Sequence, residues 1–269
     1  MPPSNPVIFA SPHSGRHYPA DMGSILEGLD LRRSEDALVD QLIASAPRQS
    51  VTLIRALVGR AYLDLNRDCR DLDPDMFDES LPTPEGQGSS QVSAGFGIIA
   101  RHVGQGEALY GRKLTLAEAQ ARIDRIYRPY HLALQGLVDE ALAHHGQAIL
   151  IDWHSMPARA VAASEGHRAC DFVLGDRFGR ACNLGLTRFV EAELEAMGYR
   201  VQRNLPYAGG YTTAHYGKPE QGLHALQIEI NRALYLDEDR IEPHAGFGEL
   251  KANLERLTEL LAARARTGL

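Results

Sequence analysis

His13 and His154 are the residues of this sequence best suited to hold a metal ion. Each follows a short apolar run. Val7-Ile8-Phe9-Ala10 leads into Ser11-Pro12-His13-Ser14-Gly15, and Ala148-Ile149-Leu150-Ile151 leads into Asp152-Trp153-His154-Ser155. A lone histidine is most often structural or merely exposed, so neither makes a metal site by itself. Asp152 adds weight to His154: two residues earlier on a strand, it points to the same side and can hold the imidazole through its second nitrogen. A catalytic zinc needs three protein ligands and an open position. The adjacent carboxylates Glu35 and Asp36 are candidates for the third ligand, and they read equally well as acidic residues favoured at a helix start.

Other residue types suit the handling of a carboxylate-bearing substrate. Arg60 and the run Asp64-Leu65-Asn66-Arg67 follow an apolar stretch. An arginine there can grip a carboxylate bidentately, with Asn66 adding a hydrogen bond. The competing reading is a surface ion-pair cluster of Arg67, Asp68, Arg70 and Asp71. Glu229 interrupts the apolar run Ala225-Leu226-Gln227-Ile228-Glu229-Ile230. Period-two alternation puts Gln227 and Glu229 on one face, which is either the solvent side of an edge strand or a deliberate placement of a general base. Gly209-Gly210-Tyr211-Thr212-Thr213-Ala214-His215-Tyr216-Gly217 is a glycine-flanked loop rich in hydroxyls and aromatics. It is either an ordinary turn or a segment that contacts substrate through Tyr211, Thr212 and His215.

The elements that must position these groups alternate between strand and helix. The pattern predicts strands at Val7–Ala10, Val51–Ala56, Arg60–Leu65, Ala148–Ile151 and Leu223–Ile230. It predicts helices at Ser34–Ser45, capped by Ser34, at Leu116–His144 with a break near Pro129, and at Leu184–Met197. Phe247, Leu250, Leu254, Leu257 and Leu261 recur at helical spacing, so the C-terminal segment is an amphipathic helix covering a sheet. Asp68–Ala94 is rich in Asp, Pro, Gly and Ser and reads as a long loop. This order implies an α/β fold with a central sheet and helices on both faces, with ligands bound beyond the carboxyl ends of strands. No repeat or linker divides the chain, so a single domain over 1–269 is expected.

Composition narrows the function classes. The 269 residues carry a net charge of -7, with 44% hydrophobic and 23% charged residues. Such a balance fits a soluble globular protein and speaks against a general binder of nucleic-acid backbone. The three cysteines form no CxxC pair, so free thiols in a reducing compartment are expected. The first residues show no basic region followed by a long apolar run, and no run of about 20 apolar residues occurs, so no signal peptide is expected and a cytoplasmic protein without membrane contact is the expectation. P-loop, GxGxxG, HExxH and GxSxG motifs are all absent.

Taken in order, these segments resemble the N-formylglutamate amidohydrolase (N-formylglutamate deformylase) family. The resemblance rests on Pro12-His13-Ser14-Gly15, Asp36-x-x-x-Asp40, Asp64-Leu65-Asn66-Arg67, Asp152-x-His154-Ser155, Asp171-Phe172-x-Leu174-Gly175, Gly209-Gly210-Tyr211-Thr212-x-x-His215-Tyr216-Gly217 and Ala225-Leu226-Gln227-Ile228-Glu229. The family is similar to zinc carboxypeptidases and to the aspartoacylase and succinylglutamate desuccinylase enzymes. The resemblance therefore implies a mixed sheet of the zinc-carboxypeptidase (phosphorylase/hydrolase-like) kind. It implies one zinc held by His13, Asp36 and His154, with Glu229 as general acid-base; Arg60, at the end of an apolar run, is expected at the oxyanion. It further implies that Asn66 and Arg67 hold the substrate's α-carboxylate, with N-formyl-L-glutamate as the small-molecule substrate, as in histidine degradation. Arg16 stands where those relatives place a glutamate ligand, so the carboxylate is expected from Asp36, with Glu35 second. Ala37 and Ala214 stand where well-marked deformylases carry a large group and a cation. The resemblance thus fixes the reaction class more firmly than the acyl group or the amino acid. The rival readings are a zinc peptidase or amidase on another carboxylate-bearing amide, and a metal-binding protein without catalysis.

Overall fold

The computed structural model describes residues 4–81, 90–104, 106–161 and 169–267. They fall into two compact units, one of residues 1–11, 38–55 and 134–269 and the other of residues 12–37 and 56–133.

The first unit is built on a six-stranded sheet. Its strands are β1 (Val7–Ser11), β2 (Thr52–Arg55), β3 (Ala148–Met156), β4 (Phe172–Gly175), β5 (Val201–Arg203) and β6 (Leu223–Asn231), in the spatial order β2-β1-β3-β6-β4-β5. The β2-β1-β3-β6 pairs are parallel, whereas β4 runs antiparallel to β6 and parallel to β5. The sheet is therefore mixed, as expected. All nine residues of β3 are buried, the mark of a strand covered on both faces.

Helices flank the sheet. The helix Gly246–Arg266 buries Leu250, Leu254, Leu257 and Leu261 and packs against β1 and the helix Leu184–Ala196. Each fully buried leucine stabilises the fold by roughly 1.5–3 kcal/mol. Asn183 caps Leu184–Ala196, its side chain accepting from the Gly185 N–H.

The second unit is largely irregular around a core of Tyr62, Leu63, Leu65, Ile98, Ile99, Leu109 and Leu114. The fully buried Arg122 organises it. Its guanidinium donates to the Tyr62 and Met22 carbonyls and to the Tyr110 hydroxyl, and it lies 4.3 Å from the Tyr62 ring centroid.

Three expected elements differ from what forms. Ser34–Ser45 is not one helix. Only Val39–Leu42 is helical, because the Asp36 N–H donates to the His13 carbonyl and Leu38 turns left-handed at φ 65°. Ser34 caps nothing; its hydroxyl donates to the Leu31 carbonyl. Arg60–Leu65 is not a strand: the Tyr62 N–H closes a turn onto Gly59, and the Asp64 N–H reaches Ile98. Its apolar residues fill an irregular core instead of alternating across a sheet. The break expected near Pro129 is a turn of π-helix at Ile123–Tyr127, between α-helices at Leu116–Arg122 and Arg128–His145. Pro129 has no N–H for the Arg125 carbonyl, and the widened turn accommodates its ring. Within Asp68–Ala94, residues 82–89 lie outside the described residues.

Candidate functional site

The second unit carries His13, Asp36, Arg60, Asp64, Asn66 and Arg67. Gly15 lets the chain after His13 lie directly on its neighbour, since a Cβ there would sit 2.2 Å from the Val58 carbonyl oxygen. The backbone then anchors at the Leu57 carbonyl through the Arg16 and His17 N–H groups. His13 is buried, and its Nε2–H donates to Asp64 Oδ1 at 2.6 Å. Its Nδ1 lies 3.3 Å from Asp36 Oδ2. Glu35 is engaged elsewhere: Arg32 grips its carboxylate with Nε and Nη2, and the Tyr18 hydroxyl donates to it. Between the two candidate carboxylates, Asp36 is the one beside His13.

Asp64 was seen in the sequence only as part of a motif, and the fold gives it a specific task. One oxygen takes His13 Nε2–H and the Asn66 backbone N–H; the other takes Arg60 Nη2 at 2.8 Å. Burial alone would raise its pKa. The charges of His13, Arg60 and Arg67, with the hydrogen bond from His13, outweigh burial and hold it well below the usual carboxylate range. No sequence signal pointed to this pairing, because its partners are 51 residues apart.

Asn66 and Arg67 sit on a segment held from behind. The Tyr127 hydroxyl donates to the Arg67 carbonyl, and His131 Nε2 to that of Leu65. Arg67 Nε donates to the Phe96 carbonyl, so Arg67 stands apart from the surface pair made by Arg70 and Asp68.

The first unit carries His154, Glu229 and the glycine-flanked segment. Asp152 and His154 alternate on β3, as the sequence predicts, and His154 Nε2 lies 3.0 Å from Asp152 Oδ2. Register places Asp152 beside Gln227 and His154 beside Glu229, so these four side chains share one face of the sheet. Glu229 is 6% exposed and Gln227 4%, and β6 is flanked on both sides. This removes the edge-strand reading of Glu229. Burying a carboxylate is costly unless it is hydrogen-bonded, and Gln227 Nε2 donates to Glu229 Oε1 at 2.9 Å. Val173 lies opposite Glu229 in register, within an apolar cluster of Met156, Val161 and Cys170.

Tyr211–Tyr216 is helical rather than an open loop, and it packs on β6 and β3. Thr212 is buried. The Tyr211 ring stacks on His215 at 5.0 Å, with its hydroxyl 3.2 Å from His215 Nδ1. Asp171, another motif residue, serves the fold: Arg200 clasps both of its oxygens.

A mixed sheet with flanking helices sets a buried histidine beside a buried glutamate, and two buried histidines each pair with a carboxylate, which defines the class as an α/β protein with titratable side chains gathered on its sheet. The chain belongs to the N-formylglutamate amidohydrolase family, whose model matches residues 5–236. The crystal structure of N-formylglutamate amidohydrolase from Ralstonia eutropha JMP134 is similar at 41% identity and a TM-score of 0.94, covering 98% of this chain and 95% of that one. The N-formylglutamate deformylase of Pseudomonas aeruginosa is 28% identical over 269 residues, 97% of this chain and 94% of its own length. That of Pseudomonas putida is 28% identical over 237 residues, covering 87% and 82%.

Among the described residues, no helix is long and apolar enough to cross a membrane. Cys69, Cys170 and Cys182 are free thiols, and burial pushes Cys182 up to about 12.

Proposed function

We propose that this chain hydrolyses N-formyl-L-glutamate to formate and L-glutamate, using one zinc ion held by His13, Asp36 and His154. Family membership supports the reaction, and the relatives named for N-formylglutamate span nearly the whole chain. The observation that carries the metal reading is the commitment of Nε2 in both buried histidines to a buried carboxylate. Such a pairing supports the reading, because it would hold the tautomer, raise ligand basicity and leave Nδ1 for a metal. The donor set fits zinc: two imidazoles and a carboxylate, all buried, leave one position open.

When bound, the ion supplies Lewis acidity that makes water a usable nucleophile near neutral pH and polarises a carbonyl. The side chains do the rest. Glu229 accepts a proton from water as it adds to the formyl carbon, then returns that proton to the departing α-amine. Its amide donor from Gln227 and its apolar neighbours keep the carboxylate aimed. Arg60 offers positive charge to the developing oxyanion, its guanidinium held by Asp64. Asn66 and Arg67 bind the α-carboxylate, and Tyr211, Thr212 and His215 contact the remainder of the substrate. Holding the substrate by its carboxylate turns the reaction into an oriented, effectively unimolecular step.

The test is metal analysis of the purified protein together with a panel of N-formyl, N-acetyl and N-succinyl amino acids. Stoichiometric zinc and selective turnover of N-formyl-L-glutamate support the reading. A metal-free protein that remains active overturns the metal assignment. Turnover of another acyl amino acid alone overturns the substrate.

A further inference from the structure

We infer that Gln227 is a positioning residue that couples the Glu229 carboxylate to the segment Ala208–Gly210, and through it to the helix Tyr211–Tyr216. The inference rests on Glu229 as the general base and adds a device that holds base and substrate-contacting helix in one arrangement.

Three observations converge on Gln227. Its two amide atoms face opposite ways: Nε2 donates to Glu229 Oε1 at 2.9 Å, and Oε1 accepts the Gly210 N–H at 2.8 Å. The network sets the orientation of the amide. A backbone N–H can only meet the oxygen and a carboxylate can only accept from the nitrogen, so a flipped amide would lose both bonds. The side chain is also buried, and no weaker water contact substitutes cheaply for either bond.

The second observation is the close approach that brings Gly210 to this place. Gly175 is the register partner of Gln227 on β4. A Cβ at Gly175 would lie 2.8 Å from the Ala208 carbonyl carbon and the Gly209 nitrogen, so only glycine lets that backbone descend onto the sheet. The third is a clamp from the side. Arg177, itself left-handed at φ 54°, donates its N–H to the Ala208 carbonyl and Nη1 to that of Gly209. Gly210 then caps the helix, its carbonyl accepting from the Thr213 hydroxyl and the Ala214 N–H. A displacement of Gly210 therefore moves Tyr211 and Thr212 directly.

Two substitutions separate the two bonds. Gln227→Met keeps the length of the side chain and removes both. Gln227→Glu keeps an acceptor for the Gly210 N–H and sets a carboxylate, not a donor, against Glu229. Hydrogen exchange of the peptide covering residues 208–216 reads the coupling without reference to activity. Gln227→Met is expected to speed that exchange at least about tenfold, while Gln227→Glu leaves it near the wild-type rate. With N-formyl-L-glutamate, Gln227→Glu is expected to lower kcat by about tenfold or more with KM within a few-fold, and Gln227→Met to lower kcat and raise KM together. A purely structural role would change melting temperature and not split kcat from KM between the two variants. Wild-type exchange in a folded Gln227→Met protein overturns the coupling, as does an unchanged kcat in Gln227→Glu. If the wild-type protein turns over no acyl amino acid, the proposed function fails, and the exchange measurement still decides the coupling.

Discussion

His154 and Glu229 are register partners on adjacent parallel strands, so their side chains leave the sheet on the same face. Parallel strands lie about 4.8 Å apart and are held by continuous backbone hydrogen bonds. The relative placement of the two is therefore set by the sheet and not by a loop. Catalytic groups gain from such rigidity, because small misplacements cost large factors in rate. The same register sets Asp152 beside Gln227, so each of the two residues has its own supporting side chain one step back along its strand.

Glu229→Gln preserves shape and hydrogen-bonding capacity while removing the proposed base. The expected outcome is full metal content with a loss of about two to four decades in kcat, the usual worth of general acid-base catalysis. Steady-state kinetics alongside metal analysis checks this, and undiminished turnover would remove Glu229 from the mechanism.

His154→Ala removes a proposed ligand and leaves Asp152 without its imidazole. The protein is expected to lose both zinc and activity. Inductively coupled plasma measurement on the purified variant decides it: a mutant that still carries stoichiometric zinc sinks the ligand set.

Much of this arrangement was legible in the sequence, and what was not has physical causes. The alternation in Leu223–Ile230 and the apolar run before Asp152 showed the strands and which residues share a face. Whether β6 was an edge or a central strand was not readable, because strand neighbours are chosen by topology and not by local pattern. At Ser34–Ser45 helix signals lost to a tertiary bond, Asp36 N–H to the His13 carbonyl, which places Asp36 at the cost of helix. At Arg60–Leu65 an apolar run looked like a strand because burial on all sides leaves no period to distinguish it. Asp64 and Gln227 escaped notice as partners because what they hold, His13 and Gly210, is distant in sequence.

Arg67→Ala tests the proposed carboxylate anchor. The expected change is a rise in KM for N-acyl amino acids with a free α-carboxylate, with a smaller change in kcat. The control is the corresponding α-amide. An equal loss on the amide would refute the anchoring role, since only the carboxylate form should depend on this guanidinium.

Asp64→Asn tests the support of His13. The amide can still accept a hydrogen bond from Nε2–H, yet it no longer carries charge, and Arg60 loses its closest carboxylate. Zinc affinity is expected to fall about 10–100-fold, the usual consequence of removing a carboxylate behind a ligating histidine. Competition with a chromophoric chelator measures it. Wild-type affinity would show that His13 needs no such partner.

His224 gives a pH prediction that is independent of the metal. It is buried near the start of β6, and its Nδ1 accepts the Asn183 N–H, which requires the neutral imidazole. Burial lowers its pKa from the ordinary histidine value. The folded form thus binds its proton less readily than the unfolded chain. Its contribution to stability is fully present above about pH 6.5, the unfolded histidine value, and declines as pH falls toward the depressed folded value. The slope from this single group is at most about 1.4 kcal/mol per pH unit. Urea unfolding at pH 7.5, 6.5 and 5.5 should therefore show wild-type stability falling more steeply than that of His224→Asn, whose amide oxygen replaces the acceptor without titrating. Parallel curves for the two proteins would mean that His224 enters the fold with its proton and that the Asn183 contact does not depend on the neutral ring.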